Sequence, residues 1–462
     1  MSLALLEPGA RNRNEATAWR WATLGETGRY INGVAFKPAD WIGEGFPIIR
    51  IQNLTDPAKP LNRTTRKVDA IYKVEPGDLL VSWSATLDAF IWNREPALLN
   101  QHIFKVIPDE SVVTKRFLFY LLRLAISYMI KSEHLHGSTM KHINRRPFLA
   151  HRVAIPPLEE QPRIVAETEK QFTRLDAGVA SLKRVHVELK RYRASVLKAA
   201  CEGRLVPTEA ELARKENRSY ETGEELLQRI LQERRENWNG KGKYKEPASA
   251  KIVDLPQLPE GWTWTTVQQL NPADRPCAYG VLQPGPTVPG GIPIVRVGNI
   301  NDGKVDQIDL KLISPKIAAQ YPRTKLQGGE VAISLVGAIG RTAVIPQTLA
   351  GANTARAVGI MPITKAVNPH WVEIWFRNPR KIAEMTSKSH EVARKTLNLE
   401  DVRVAVVALP PKAEQERIVA EVERGLSVVE EMELLLGTNF QRTGALHRSI
   451  LERAFTDPKS RE

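Results

Sequence analysis

Two glycine-containing segments in the second half of the chain come nearest to a nucleotide-binding pattern. Gly298 to Lys304 has the glycine and lysine spacing of a phosphate-binding loop, but Val305 follows where a serine or threonine is needed for magnesium. The run Asn301-Asp302-Gly303 favours a hairpin turn at this place instead. Gly337 to Arg341 follows an apolar run, yet neither a helical pattern nor an acidic partner after it supports dinucleotide binding. Neither segment predicts a nucleotide site.

Patterns for metal ligands and nucleophiles are equally weak. His134 and His136 could place two imidazoles together, but no carboxylate or cysteine lies at ligand spacing, which favours a solvent-facing loop. The chain lacks the Gly-x-Ser-x-Gly and His-Glu-x-x-His motifs, and Cys201 and Cys277 have no paired spacing. We therefore expect no catalytic residue, no metal site and no cofactor in this chain, and a reducing cytoplasmic location.

The composition indicates a basic globular protein of several domains. The chain has 462 residues, of which 42% are hydrophobic and 26% charged, and a net charge of +14. Most of the positive excess lies in residues 1–154 and 247–408, whereas 202–246 is neutral and 409–462 is net negative. Basic domains favour polyanions such as nucleic acid. The apolar run from Phe117 to Ile130 is short and contains Arg123, which favours a buried helix over a membrane span.

The sequence segments that would position such domains occur twice in the chain. Ile155 to Glu167 returns as Leu409 to Glu421, 254 residues later, which is far longer than a solenoid repeat of roughly 20–50 residues. Upstream, Pro47 to Leu54 corresponds to Pro293 to Ile300. These β-branched and apolar runs are bounded by Gly, Pro and Asn, so they predict short strands. The chain is therefore two similar halves, each a body followed by a long helix.

The two long helices are predicted from Glu160 to about Cys201 and from Glu414 to about Phe455. Apolar steps of three and four alternate along both, which is typical of a coiled-coil seam. About 42 residues at a rise of 1.5 Å give a rod of roughly 60 Å, and the connectivity is compatible with antiparallel pairing. The seam residues are Phe172, Leu175, Leu182, Leu189 and Val196 in the first helix, and Leu426, Val429, Leu436, Phe440 and Ile450 in the second.

Four seam positions are polar: His186, Arg193, Glu433 and His447. They could be partners that set the register of the helix pair. Partly solvated layers, in which long side chains reach water, are the favoured interpretation.

The predicted fold class is α+β, with two mixed α/β globular domains separated by a long antiparallel two-helix coiled coil in a pseudo-twofold internal repeat. The predicted segments are a first domain at 1–154, a first long helix at 155–206, a partly helical linker at 207–250, a second domain at 251–408 and a second long helix at 409–457.

This organisation resembles the specificity (S) subunits of Type I restriction-modification systems over roughly residues 15 to 457. The segments that carry the resemblance are the repeated helix openings at Pro156 and Pro410, the helical continuations at Ala194–Leu197 and Ser449–Leu451, the domain entry Leu258–Trp262, and the linker segment Gly223–Leu227.

The resemblance implies that each body is a target recognition domain that reads one half of a bipartite sequence in double-stranded DNA. It implies that the helices set the half-site spacing and dock two modification (methyltransferase) subunits, to which restriction (translocase-nuclease) subunits add. S-adenosylmethionine, ATP and magnesium would be bound by those partners, and no membrane is implied. Because the two bodies differ in sequence, we expect the two half-sites to differ.

Residues for DNA contact are predicted from side-chain chemistry, since Arg and Lys suit guanine and phosphate while Asn and Gln suit adenine. In the first body these are Arg50, Gln52, Ser82, Trp83, Ser84, Thr86, His102, Lys141, His142, Arg145 and Arg146. In the second they are Arg296, Asn299, Ser334, Arg341, Asn353, Thr354, Arg356, Arg394 and Lys395. A purely structural role remains the alternative for each of them.

Two other functions fit parts of the pattern. The recognition subunit of a Type IIB-like restriction system has a similar layout with a fused nuclease-methyltransferase partner. A coiled-coil scaffold that binds only proteins would explain the helices, but it predicts neither concentrated positive charge nor divergent faces on matched bodies.

Overall fold

The computed structural model describes residues 18–131, 142–240, 242–253, 255–301, 303–387 and 396–457. Its contacts divide the chain into two compact units. The first unit comprises the residues up to Arg184 together with those from Leu436 onward, and the second spans Val185–Leu435. Each long helix therefore has residues in both units.

The first unit is a mixed α/β body with short strands. Its strands are β1 (Arg20–Thr23), β2 (Gly28–Asn32), β3 (Phe46–Ile49), β4 (Asn62–Thr64), β5 (Lys73–Val74), β6 (Leu79–Ser82), β7 (Asp88–Ile91), β8 (Ala97–Leu99), β9 (Ile103–Pro108) and β10 (Arg152–Ile155). Its helices are α1 (Ile51–Thr55), α2 (Lys115–Lys131), α3 (Arg145–Ala150) and the start of the first long helix, α4 (Gln161–Cys201).

Two sheets and a strand pair organise this body. One sheet is antiparallel with the order β2-β9-β6-β7, and the other has the order β4-β3-β8-β5 with β3 parallel to β8. The strand β1 pairs with β10, Arg20 lying opposite Ile155, so the strand that leads into α4 is tied to the strand that opens the body. The core includes the fully buried rings of Phe104, Phe117 and Phe148.

The apolar run at Phe117 to Ile130 lies within α2, where Phe117, Leu118 and Leu122 are fully buried. The prediction of a buried helix is therefore confirmed. None of the described helices contains a stretch that is long and apolar enough to cross a membrane.

The second unit contains the linker and the second body. The helices are α5 (Glu209–Glu216), α6 (Gly223–Glu236), α7 (Val267–Leu270), α8 (Pro315–Ala318), α9 (Pro369–Arg377), α10 (Pro379–Ser387), α11 (Leu399–Arg403) and part of the second long helix, α12 (Lys412–Phe455). The strands are β11 (Thr263–Thr266), β12 (Ala278–Tyr279), β13 (Ile292–Val295), β14 (Ile300–Asn301), β15 (Lys304–Val305), β16 (Lys311–Ile313), β17 (Val331–Ser334), β18 (Thr342–Val344), β19 (Asn353–Thr354), β20 (Val358–Met361) and β21 (Val406–Leu409).

The strand order of the second body repeats that of the first. The sheet β12-β20-β17-β18 is antiparallel, β13 lies between β16 and its parallel neighbour β19, and β11 pairs with β21. The duplication predicted from the sequence therefore extends to the topology. Within the phosphate-loop-like segment the strands β14 and β15 pair antiparallel, with Asn301 opposite Lys304, as the predicted hairpin requires. Gly337 to Arg341 connects β17 to β18.

A repeated glutamine fixes the start of each long helix to its own body. Gln161 accepts the backbone N–H of Thr114 at 2.7 Å and donates to the carbonyl of Pro156 at 3.2 Å. Gln415 accepts the N–H of Asn368 at 2.9 Å and donates to the carbonyl of Pro410 at 2.9 Å. Both glutamines are fully buried. A buried backbone group needs such a partner, so the same two bonds define how both helices leave their bodies.

The two long helices contact each other within each unit. In the second unit Arg193 pairs with Glu433 at 2.9 Å, and Val196 lies beside Gly425, so the helices run antiparallel there. In the first unit the ring of Phe172 stacks on that of His447, with 5.0 Å between their centres. The predicted seam is the covered face: Phe172, Leu189, Val196, Leu426, Val429 and Leu436 are buried, while Leu175, Leu182, Phe440 and Ile450 are half-buried.

The four polar seam residues are all half-buried, in agreement with partly solvated layers. Two of them, Arg193 and Glu433, are nevertheless ion-pair partners. His447 lies 3.5 Å from the carboxylate of Asp176, which is itself well exposed. Because an ion pair at a seam position fits only one register, the Arg193–Glu433 pair favours the observed alignment.

Candidate nucleic-acid interface

In the first unit four chain segments meet where β6 ends. The N–H of Trp83 donates to the carbonyl of His102 at 3.2 Å, and the N–H of Ile143 donates to the carbonyl of Trp83 at 3.0 Å. The indole Nε1 of Trp83 donates to Oδ1 of Asn32 at 3.1 Å, and its ring centre lies 4.7 Å from that of His102. The structure therefore gathers side chains that lie far apart in sequence. We call Asn32, Trp83, His102 and His142 the Trp83 cluster.

The imidazole of His102 is the most constrained group of this cluster. Its backbone has a positive φ of 71°, which few non-glycine residues adopt. Burial lowers the pKa of His102 below its ordinary value, and the neighbouring His142 lowers it further. Its Nδ1 is enclosed and has no hydrogen-bond partner among the described residues. The ring is therefore neutral at pH 7, with one nitrogen that donates and one that accepts.

Exposed polar and cationic side chains surround the Trp83 cluster. Arg145 and Arg146 begin α3 and are exposed, and Arg145 donates to the carbonyl of Tyr30 at 3.2 Å. Thr86 lies exposed in the turn that follows Trp83. This edge of the body thus combines a rigid aromatic group with cations, which is the chemistry of a nucleic-acid surface.

The second unit builds the same junction from different side chains. The N–H of Leu335 donates to the carbonyl of Ala357, and the N–H of Leu397 donates to the carbonyl of Leu335, both at 2.8 Å. Leu335 and Ala357 therefore occupy the positions that Trp83 and His102 hold in the first unit. The backbone arrangement is common to both units, whereas the chemistry that it presents is not.

Three predicted arginines of the second unit are exposed. Arg341 lies in the β17–β18 connection and donates to Oδ1 of Asn301 at 3.3 Å. Arg296 precedes the helical turn after β13 and donates to the carbonyl of Asp309 at 3.4 Å. Arg356 follows β19 with its side chain exposed. Of the predicted residues in the described part of the second body, these three arginines are the ones exposed to a polyanion.

Six other predicted residues have buried side chains: Ser82, Ser84, Asn299, Ser334, Asn353 and Thr354. Their bonds are internal: Oγ of Ser82 donates to the carbonyl of Ser84 at 3.0 Å, and Oγ of Ser334 accepts the N–H of Arg341 at 2.9 Å. An enclosed group offers no atom to a duplex, so the structure does not support these six residues as contacts. The bonds of Ser82 and Ser334 hold the turns that follow β6 and β17. The predicted residues Lys141, Arg394 and Lys395, together with His134 and His136, lie outside the described residues.

A second cationic surface of the first unit was only partly predicted. The guanidinium of Arg50 lies 4.7 Å above the ring of Trp41, and Gln52 is exposed on α1 beside it in sequence. Arg66, which the sequence analysis did not select, lies 5.5 Å above the ring of Phe36. A sequence signal for Arg66 is missing because its aromatic partner lies on another segment of the chain. The guanidinium of Arg66 also donates to the carbonyl of Ala35 at 3.0 Å and lies 3.5 Å from the carboxylate of Asp40.

Neither cysteine of the chain is a ready nucleophile. Burial raises the pKa of the Cys201 and Cys277 thiols to about 12, so both are protonated at neutral pH. No group of three or more His, Cys, Asp or Glu side chains in the described part of the chain is placed to hold a metal ion.

Comparison with known proteins identifies a family. The model of the Type I restriction modification DNA specificity domain matches residues 18–189. The chain is 32% identical to the Type I restriction enzyme EcoBI specificity subunit of Escherichia coli, over 95% of this chain and 85% of that protein. It is 22% identical to the EcoKI specificity subunit of Escherichia coli (strain K12), over 95% and 88%. A solved chain from work on complex assembly and conformational transition of the type I R-M system has the same fold, with a TM-score of 0.60, 17% identity and coverage of 95% and 98%.

Proposed function

The chain belongs to the specificity subunits of Type I restriction enzymes, and we propose that it reads an asymmetric, bipartite sequence in double-stranded DNA. The observation that carries this proposal is the pair of matched junctions with unlike side chains. Trp83 and His102 stand in one unit where Leu335 and Ala357 stand in the other. Two readers with the same backbone and different side chains select different half-sites.

The exposed residues divide into two kinds of contact. Arg145, Arg146, Arg341 and Arg356 are cations at the edges of the bodies and suit phosphate oxygens. The Trp83 cluster suits base edges, because its ring and imidazole are held in place from several sides. The bonds of the buried Ser82 and Ser334 hold the turns that follow β6 and β17.

In this proposal each body is a target recognition domain, and α4 and α12 form an antiparallel coiled coil that fixes the spacing between half-sites. The continuous length of both helices and the covered seam support it. A rigid spacer would make affinity depend sharply on the number of base pairs between the half-sites.

We assign the partners from the family and from the surface of the helices. Tyr192, Met432, Leu434, Leu435 and Leu446 are apolar and well exposed on α4 and α12. Exposed apolar residues at such density suit protein contact. Two modification subunits would dock on the helices, restriction subunits would join them, and these partners would bind S-adenosylmethionine, ATP and magnesium.

The test is to co-express the chain with its modification subunit and to map methylated bases in genomic DNA by single-molecule sequencing. We expect methylation within one bipartite motif with two different halves and a fixed spacer. A perfect palindrome or one uninterrupted motif would contradict the asymmetric reading. Absence of sequence-specific methylation would contradict the proposed function as a whole.

A further inference from the structure

In the second unit the linker covers the start of α12. The carboxylate of Glu414 accepts the backbone N–H of Glu209 at 2.8 Å and the indole Nε1 of Trp262 at 2.8 Å. Both Glu209 and Glu414 are buried. The first turn of α5 therefore lies directly on the first turn of α12.

The side chain of Glu209 completes this contact. Its carboxylate lies 2.7 Å from the guanidinium of Arg417 and 2.6 Å from that of Arg218. Ala210 and Ala213 of α5 are buried beside it. A buried carboxylate is tolerated only when it is paired in this way, so Arg417 and Glu414 together select a helix start that carries both an N–H group and a negative charge.

The repeat places the same residues at the start of α4 in the first unit. Trp19 corresponds to Trp262, and the following pairs lie 254 residues apart: Glu160 and Glu414, Gln161 and Gln415, Arg163 and Arg417, Ile164 and Ile418. The register of the neighbouring strand pair agrees, since Arg20 lies opposite Ile155 as Thr263 lies opposite Leu409. The first unit thus carries the residues of the same receiving site.

In the described part of the first unit this site is a groove. A cavity of about 390 Å³ lies here. It is lined by Trp19, by Glu160 just before α4, by Arg163 and Thr168 of α4, and by Arg453 of α12. The side chain of Arg163 is 80% exposed and lies 3.9 Å from Glu160, whereas that of Arg417 is 31% exposed. We call this cavity the first-unit groove. It has the acceptor and the cation of the second-unit site, and no described segment covers them as α5 covers Glu414.

We propose that the first-unit groove docks a helix N-terminus with a carboxylate in its first turn, supplied by a modification subunit. This inference rests on the proposed function and names where one partner is held. The occupant follows from the filled copy: Glu160 would accept a backbone N–H, and Arg163 would pair with the carboxylate. A second copy of this chain does not supply the element, because its own α5 start is buried on Glu414.

The first test transfers the segment that covers Glu414 in the second unit to the first-unit groove. Residues 202–218 follow α4 and lead into the second-unit site, so a variant in which this sequence replaces residues 456–462 after Phe455 would bring it to the first-unit groove. A tethered segment binds at high effective concentration. We expect a higher Tm for this graft than for the wild type, and no gain when the grafted segment carries Glu209→Lys or the groove carries Arg163→Glu. The same Tm for all versions would overturn the inference.

The second test counts partners by native mass spectrometry of the full chain co-expressed with its modification subunit. We expect two modification subunits on the wild type and one on either the graft or Arg163→Glu. Arg174→Glu is the matched control, an equal charge reversal at an exposed position of α4, and should keep two.

The outcomes distinguish a failure of the groove assignment from a failure of the proposed function. Two modification subunits on every variant would overturn the groove assignment while leaving the proposed function intact. No modification subunit on the wild type would overturn both. A dimer of the chain that Arg163→Glu dissolves would identify a second copy as the occupant and would also overturn the assignment.

Discussion

The first and second units share a backbone plan but differ at equivalent positions on their surfaces. The strand pair β1–β10 of the first body and the strand pair β11–β21 of the second have the same register. In both bodies a buried glutamine anchors the long helix. At the loop junction, however, Trp83 stands where the other unit has Leu335. At the helix start, Glu160 borders a groove that no described segment covers, whereas α5 covers Glu414.

This difference shows which residues the fold requires. Gln161 and Gln415 satisfy backbone groups inside the protein, and Asn53 and Asn299 both accept the N–H of the arginine three residues earlier, at 3.1 and 3.0 Å. An apolar substitute would leave such groups unpaired. The side chains at the loop junction carry no such requirement, so they are free to differ between the two units.

The largest effect should come from removing the shared anchor. Gln161→Ala and Gln415→Ala each leave a buried N–H and a buried carbonyl without their partner, and each should lower the free energy of unfolding by roughly 2–3 kcal/mol. Denaturant unfolding of the full chain, followed by hydrogen exchange in each body, measures both. Gln171→Ala, at an exposed position of α4, is the control. If only one anchor mattered, the two units would not be equivalent in the way the topology indicates.

A smaller effect is expected where the helices meet. Arg193→Glu places two carboxylates together at a half-buried seam position and should lower stability by about 1–2 kcal/mol. Adding Glu433→Arg restores an ion pair and should recover most of the loss in a double-mutant cycle. Lys190→Glu, at an exposed position of the same helix, should change little. Additive losses in the double variant would mean that the pair does not set the register.

The long helices were the most predictable elements. Their observed bounds, Gln161–Cys201 and Lys412–Phe455, agree with the predicted ones within two residues, because the seam period is long and two prolines precede each helix. The mixed topology of the bodies also followed from the matched β-branched runs.

Which of the predicted DNA-contact residues are exposed was much less predictable. Ser82 and Ser334 end their strands with the hydroxyl turned inward, which residue type alone does not reveal. Arg66 lies above the ring of Phe36, thirty residues earlier, and the Trp83 cluster joins four segments that are distant in sequence. Such convergence depends on tertiary structure and leaves no local pattern.

One exposed arginine from each unit tests whether both bodies contact DNA phosphate. Arg145→Ala and Arg341→Ala should each weaken DNA binding about fivefold, or ~1 kcal/mol, and lower the salt slope by about 1 if the residue meets phosphate. The loss should be similar on target and non-target duplexes, as measured by fluorescence anisotropy between 50 and 200 mM salt, roughly the range in which such contacts are most visible. Arg174→Ala removes the same charge from α4 and serves as control. An unchanged salt slope would remove the arginine from the proposed interface.

The smallest effect is expected from the titration of His102, which lies at the Trp83 junction of the first unit. Because burial and His142 lower the pKa of His102 in the folded chain, the unfolded chain binds more protons as the pH falls below about 6.5. The contribution of His102 to stability is therefore complete above that pH and is lost as the pH falls through the folded-state pKa. His102→Asn tolerates the positive φ and should flatten the decline in Tm between about pH 7.5 and 5.5. Ala357 holds the equivalent position in the second unit, so Ala357→Ser should leave the decline unchanged. A decline of equal steepness in His102→Asn would place the titrating group elsewhere and remove this distinction between the units.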